Sequence, residues 1–319
     1  MNKLIACNTA IALSALSISA FAQDPAGLTT VEHTSTGTAN VATTGFQAAE
    51  KPPEEAADFL RLTLGAGGTL AMGNSRVQNY NAIGDFGLRR GANQLGVKAA
   101  FNQGSSSPQR DADGVLPPMQ ENISNYQGLV RYDRFFSEVV SGFIQASALT
   151  DKFQGLDLRL NIDPGIAIYA INEATHQWSF DVGYDFQYED YRDDSLGELT
   201  LHSARLATNY VNALNESVTF RTGAEYLLAL SPWEQCYWVT QSAGNVRAKD
   251  CDEARPADAT EKVARVNWAL VAYARLDAKV SDKFAVQTAM ELRHDNSPVQ
   301  LNYAMNDLRS SINLTYSLF

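Results

Sequence analysis

From Trp178 to Tyr188 every second residue is apolar or aromatic: Trp178, Phe180, Val182, Tyr184, Phe186 and Tyr188. Ser179, Asp181, Asp185, Gln187 and Glu189 fall on the opposite parity. A helix would scatter these two sets round its circumference, whereas an extended strand sends alternate side chains to opposite faces. The preceding run repeats the pattern. Leu156, Leu158, Leu160, Ile162, Ile166 and Ile168 share one face, and Asp157, Arg159, Asn161 and Asp163 share the other. Similar alternation recurs near 59–71, 78–90, 93–103, 123–136, 139–152, 200–213, 217–229, 264–280, 283–295 and 306–319. No stretch sustains a helical period, so the chain reads as all-β with about twelve strands.

The connections alternate in length. Tight ones follow each even strand: Arg90-Gly91-Ala92-Asn93, Ser137-Glu138, Glu173-Ala174-Thr175, Asn215-Glu216-Ser217 and Ser281-Asp282. Three of the others are long, near 104–122, 230–262 and 296–305. An even strand count with short turns at one end and longer loops at the other is the arrangement of bacterial outer-membrane barrels. Most runs reach the length of about 9–11 residues that a tilted strand needs to cross a bilayer. In lipid a sheet must close, because every backbone group has to be paired internally. The expected fold is a closed antiparallel transmembrane β-barrel of outer-membrane type, with its apolar face outward and its charged face lining the interior. A soluble periplasmic barrel would reverse the faces.

Composition removes the rivals. The 319 residues are too polar for a bundle of membrane helices, and an aromatic content of 10% spread along the chain argues against disorder throughout. A net charge of −11 argues against a nucleic-acid partner.

Met1-Asn2-Lys3, the apolar stretch from Leu4 to Ile18 and Ala20-Phe21-Ala22 together read as a secretory signal peptide over 1–22. Cys7 stands too early for a lipidation box and leaves with that peptide. Residues 23–57, rich in Thr, Ala, Gly, Glu and Pro, read as a flexible periplasmic lead, and 58–319 as the barrel domain. The expected location is therefore the bacterial outer membrane, with the 23–57 segment in the periplasm.

Three stretches carry a resemblance. They are Tyr132-Asp133-Arg134-Phe135, Asp151-Lys152-Phe153-Gln154-Gly155-Leu156-Asp157-Leu158-Arg159-Leu160 and Tyr188-Glu189-Asp190-Tyr191-Arg192. With the Gly73-Asn74-Ser75 turn and the terminal Tyr316-Ser317-Leu318-Phe319, they resemble the salt-induced outer-membrane proteins, domain of unknown function family 481, over roughly 58–319. The resemblance implies an outer-membrane barrel and supplies no catalytic residues. The long lead, the 230–262 loop with its cysteines and the parity of the last strand depart from the family's pattern. A terminal Phe319 nonetheless fits the signal read by the barrel-assembly machinery.

Parity also gives the expected interior. Asp157, Asp163, Asp181, Asp185 and Glu189, with Arg159 the exception, form an acidic wall on the sixth and seventh strands. Arg61, Arg205, Arg221, Arg265, Arg275, Arg293 and Arg309 form a basic one, with Glu225, Asp277 and Glu291 among them. Opposed walls would set up a transverse field favouring small polar or charged solutes in a narrow pore. The same charges could instead pair across strands and close the lumen, giving a structural barrel that supports the envelope under osmotic or acid stress.

Chemistry is not expected. His202-Ser203 and His294-Asp295 are neighbours that face opposite ways in a strand. The four histidines are scattered, so no metal or cofactor is expected, and the acids of the outer loops read as solvated charges beside lipid and lipopolysaccharide. Cys236 and Cys251 share one outer loop, and a disulfide closing it would stabilise by about 3 kcal/mol in the chain-entropy model. Trp233, Tyr237 and Trp238 beside it are expected to pack that loop on itself.

Overall fold

The computed structural model describes residues 58–72, 76–107, 115–173, 175–192, 198–240, 245–247, 252, 255–297 and 305–317. The expected signal peptide and periplasmic lead lie outside these residues. Alternation of side chains produces the expected element type, and fifteen strands follow one another among the described residues. They are β1 (Phe59–Ala71), β2 (Arg76–Arg90), β3 (Asn93–Ser107), β4 (Gln120–Phe135), β5 (Val140–Asp151), β6 (Leu156–Asn172), β7 (His176–Tyr191) and β8 (Glu198–Ala213). After these come β9 (Val218–Ser231), β10 (Glu234–Thr240), β11 (Asn245–Arg247), β12 (Ala259–Val266), β13 (Trp268–Lys279), β14 (Phe284–Asp295) and β15 (Asn306–Ser317).

Twelve of them, β1 to β9 and β13 to β15, close into one antiparallel barrel in sequence order. The remaining three form a small sheet in the order β11-β10-β12, inserted in the connection from β9 to β13. The sequence reads that stretch as loop, and the structure makes it a sheet. Gln235, Cys236, Tyr237 and Trp238 are buried; Trp238 packs with Cys236 and Ala259 inside the insertion, whereas Trp233 stands 48% exposed.

Barrel strands run from 12 residues in β5 to 17 in β6, so each extends past the hydrocarbon at one or both ends. Glycine serves the tight turns at both ends of the barrel. Gly91, between β2 and β3, takes φ +54°, and Gly155, between β5 and β6 at the opposite end, takes φ +63°. A Cβ would be strained in either conformation. Two bulges interrupt the β6–β7 ladder, between Leu156 and Leu158 and between Tyr169 and Ile171. The seam that closes the barrel is short. Among the described residues β1 and β15 pair from Thr63↔Ser317 to Ala66↔Leu314, whereas β1 and β2 pair from Phe59↔Arg89 to Ala71↔Val77.

The faces are inverted relative to a water-soluble domain. Leu64, Val130, Ile144, Ile166, Ile168, Val182, Leu206 and Met290 stand exposed, while Arg131, Asp133, Asp163, Asp181, Arg205, Glu225 and Glu291 are between 0% and 6% exposed. Water would reject that outer surface, and hydrocarbon solvates it. Aromatics gather near the rims. Trp178 lies against Phe180 (4.8 Å between centroids) and Phe284 against Tyr316 (4.9 Å) near the short-turn end, and Tyr226 against Trp268 (5.7 Å) near the long-loop end. Trp178 Nε1 also donates to Thr208 Oγ1 at 2.9 Å, keeping its polar edge satisfied.

Candidate functional site

The interior is organised around one arginine that reaches across it. β4 turns Arg131 and Asp133 inward two residues apart, and the Arg131 Nε donates to both Asp133 oxygens at 3.1 and 3.0 Å. Its Nη1 donates to Asp181 Oδ2 on β7 at 2.6 Å. Because β5 and β6 stand between β4 and β7 in the wall, this bond is a chord over two strands. The guanidinium lies 4.0 Å above the Phe143 ring of β5. Gly165 makes that possible: a Cβ there would fall 2.5 Å from Phe143 Cζ, so only glycine leaves space for the ring. On the other side of Asp181 stands Arg205 of β8, wholly buried. Its Nε donates to Glu225 Oε2 on β9 at 2.8 Å, and its Nη1 lies 3.7 Å from Asp181. The result is a run of alternating charge, Asp133, Arg131, Asp181, Arg205 and Glu225, along the β4 to β9 side.

Beside it, Asp163 of β6 and Asp185 of β7 face one another in the register that carries Ile162↔Phe186. Gln145 Nε2 donates to Asp163 Oδ2 at 2.9 Å and Asn161 Nδ2 to Asp185 Oδ1 at 2.8 Å. The second oxygen of each carboxyl is buried without a hydrogen-bond partner among the described residues. Glu189 is met by Arg159 Nε at 2.6 Å and by the Tyr191 hydroxyl at 2.6 Å.

The rest of the wall repeats the pairing. Asp85 of β2 lies 3.6 Å from Arg61 of β1 and 3.7 Å from Lys98 of β3. Asp277 of β13 plays the same part between two arginines, 2.8 Å from Arg275 of its own strand and 3.4 Å from Arg221 of β9. Arg293 Nε donates to Glu291 Oε1 at 2.6 Å within β14.

Two expected interior residues are corrected. Asp157 sits at the β6 bulge, which turns Leu156 into the interior instead. Asp157 is left 46% exposed in an ion pair with Arg192 at 2.7 Å. Arg265 belongs to β12 of the small sheet, where it pairs with Gln235, and so leaves the barrel wall altogether. The opposed walls are also not found. The acids of β6 and β7 are met by arginines from β4, β6 and β8, so the charges interleave. Arg131, Asp133, Asp85 and Lys98 are not among the expected residues, although each lies on the inward parity of its strand.

His202 contacts the Tyr184 hydroxyl, and His294 stacks on Trp268 at 4.4 Å. Cys236 is disulfide-bonded. Its expected partner, Cys251, lies outside the described residues. So do the side chain of Arg309 and the acids at 111, 113, 193, 194, 250 and 253.

Away from the charged run, a cavity of about 720 Å³ is lined by Asn79, Asn81, Asn102, Ile123, Arg275 and Ala289, among others. Amides bind one another around it: Asn102 Nδ2 donates to Asn125 Oδ1 at 2.8 Å and Asn81 Nδ2 to Asn313 Oδ1 at 2.6 Å. The second bond passes over Gly67, where a Cβ would come within 2.6 Å of the Asn313 oxygen. These amides carry no charge, so counting acids and bases along the sequence does not reveal them.

A closed antiparallel barrel with an apolar exterior and a charged, hydrogen-bonded interior defines the class: this is a β-barrel of outer-membrane type. The chain belongs to the family described as proteins of unknown function, DUF481, whose model matches residues 64–246. No curated protein matches it in sequence. Among solved structures it is similar to a NanC porin (8% identity, TM-score 0.41, covering 81% of this chain and 97% of that one). It is also similar to an outer-membrane channel from Pseudomonas putida F1 (13%, 0.40, 85% and 98%). The translocator domain of the autotransporter NalP from Neisseria meningitidis is a third (11%, 0.39, 83% and 89%).

Proposed function

We propose that the protein is a passive outer-membrane channel for small polar or charged solutes and has no catalytic role. One observation carries the reading: the cavity of about 720 Å³ is lined by amides and by Arg275, whose charge is paired with Asp277. Paired charges do not trap a passing ion, and amides can replace part of a solute's hydration, which favours entry with easy release. On this reading the barrel sits among outer-membrane lipid and lipopolysaccharide. The barrel-assembly machinery inserts it, residues 1–22 are removed, and 23–57 remain in the periplasm.

A second reading has its own support. The run from Asp133 to Glu225 pairs its charges across the interior beside β4 to β9, which suits a closed barrel that serves envelope integrity under osmotic or acid stress. Planar-bilayer recording separates the two. Folded protein, checked by its heat-dependent gel migration, is expected to give discrete conductance steps. Silence from such protein overturns the channel and leaves the closed barrel.

A further inference from the structure

Among the described residues the ladder between β1 and β15 is the shortest in the wall. Pairing stops at Ala66↔Leu314, yet β1 continues to Ala71 and β15 begins at Asn306. Beyond the amide bridge over Gly67, the facing edges of β1 and β15 form no ladder with each other among the described residues. β1 nonetheless remains paired to β2, and β15 to β14. Wherever this stretch lies within the hydrocarbon, backbone without a ladder has to meet water or a polar ligand.

Three further observations fall at the same place. The cavity is lined by both margins of the seam, Gly68 on β1 with Ser310 and Ile312 on β15, and by Asn79 and Asn81 behind them. Two acceptors on its wall, Asn79 Oδ1 and Asn102 Oδ1, are buried without a hydrogen-bond partner among the described residues. On the outer face the margins carry strongly exposed apolar side chains, Leu70 at 62% and Ile312 at 71%. The path thus grades from amides inside to aliphatic lips outside.

We propose that this seam is a lateral opening through which a small amphipathic solute, with a neutral hydroxyl-bearing head and an apolar tail, passes between the cavity and the membrane. The head donates to the amide oxygens and meets the unladdered backbone edges, and the tail lies between the lips. This rests on the channel reading, but it uses a different exit from the polar path along the axis.

The test is a double variant, Met72→Cys with Leu308→Cys. These positions would face each other if the register of the seam continued. The protein is reconstituted in vesicles with a photoreactive medium-chain alkyl glycoside, well below its micelle concentration, and labelled peptides are mapped. Reduced protein is expected to carry label on 67–72 and 306–312, and oxidised protein to lose it. The parent chain, treated identically, controls for the native disulfide and is expected to label equally in both states. Conductance of the same samples before and after oxidation reports the axial path separately. Label on the variant that is equal in both states, or absent from both segments, overturns the lateral opening. If the bond does not form, labelling of the reduced protein decides alone. Absence of conductance in both states would count against the channel reading instead.

Discussion

Replacing Arg205 with leucine tests whether the interior charges are held by one another. The side chain is wholly buried, and among the described residues it is the hydrogen-bond partner of Glu225, whose own exposure is 6%. Asp181 keeps Arg131 at 2.6 Å, so the loss falls chiefly on a single stranded carboxylate. Breaking a buried pair by removing one partner costs about 3–5 kcal/mol. That shifts the unfolding equilibrium by roughly two to nearly four powers of ten. Arg205→Leu combined with Glu225→Leu removes both charges and is expected to recover at least about half of that loss. Urea unfolding in lipid vesicles, followed by tryptophan fluorescence, measures both. A single variant within about 1 kcal/mol of the parent, or a double variant as costly as the single one, would refute the argument.

Asp163→Asn should raise the urea midpoint, because it replaces a buried carboxyl directly opposite Asp185 by an amide whose N–H can donate to that carboxylate. A fall in the midpoint would show that the amide does not take up the Asp185 carboxylate. Gly165→Ala should lower stability by about 1–3 kcal/mol, since the new Cβ meets both Phe143 and the Val182 carbonyl, the latter at 2.7 Å. An unchanged midpoint would remove Phe143 from its assigned place. Asp58, at the entry to β1, accepts the Gly91 N–H at 2.8 Å. That bond, with the Arg90 pair, holds its pKa below the ordinary 3.8. A depressed carboxyl stabilises above its unfolded value and loses the effect as pH falls through its folded one. Protection of the Gly91 amide, taken relative to its intrinsic exchange rate, should therefore be full at neutral pH and decline below pH 3.8. Asp58→Asn should abolish that dependence.

The twelve barrel strands were legible because solvent on one face and hydrocarbon on the other force a strict period of two, as in Trp178 to Tyr188. Where a local irregularity resets that period, parity misleads. The bulge at Asp157 exchanges it with Leu156 and leaves no mark in composition. The alternation over 264–280 likewise runs through Asn267 with no Gly or Pro to signal the change of sheet. Pairing was less legible than facing. Parity places Asp181 inside, but an arginine side chain is long enough to arrive from β4 over two intervening strands, and sequence distance says nothing of that reach.

The bond from Arg131 to Asp181 has a mechanical consequence. A tube stitched only between adjacent staves flattens easily, because each hinge gives a little. A strut tying two non-adjacent staves fixes the curvature of the arc between them. That arc should resist ovalisation, and any current through the tube should hold a steadier level there than beside the bond from Asn81 to Asn313, which spans a single intervening strand.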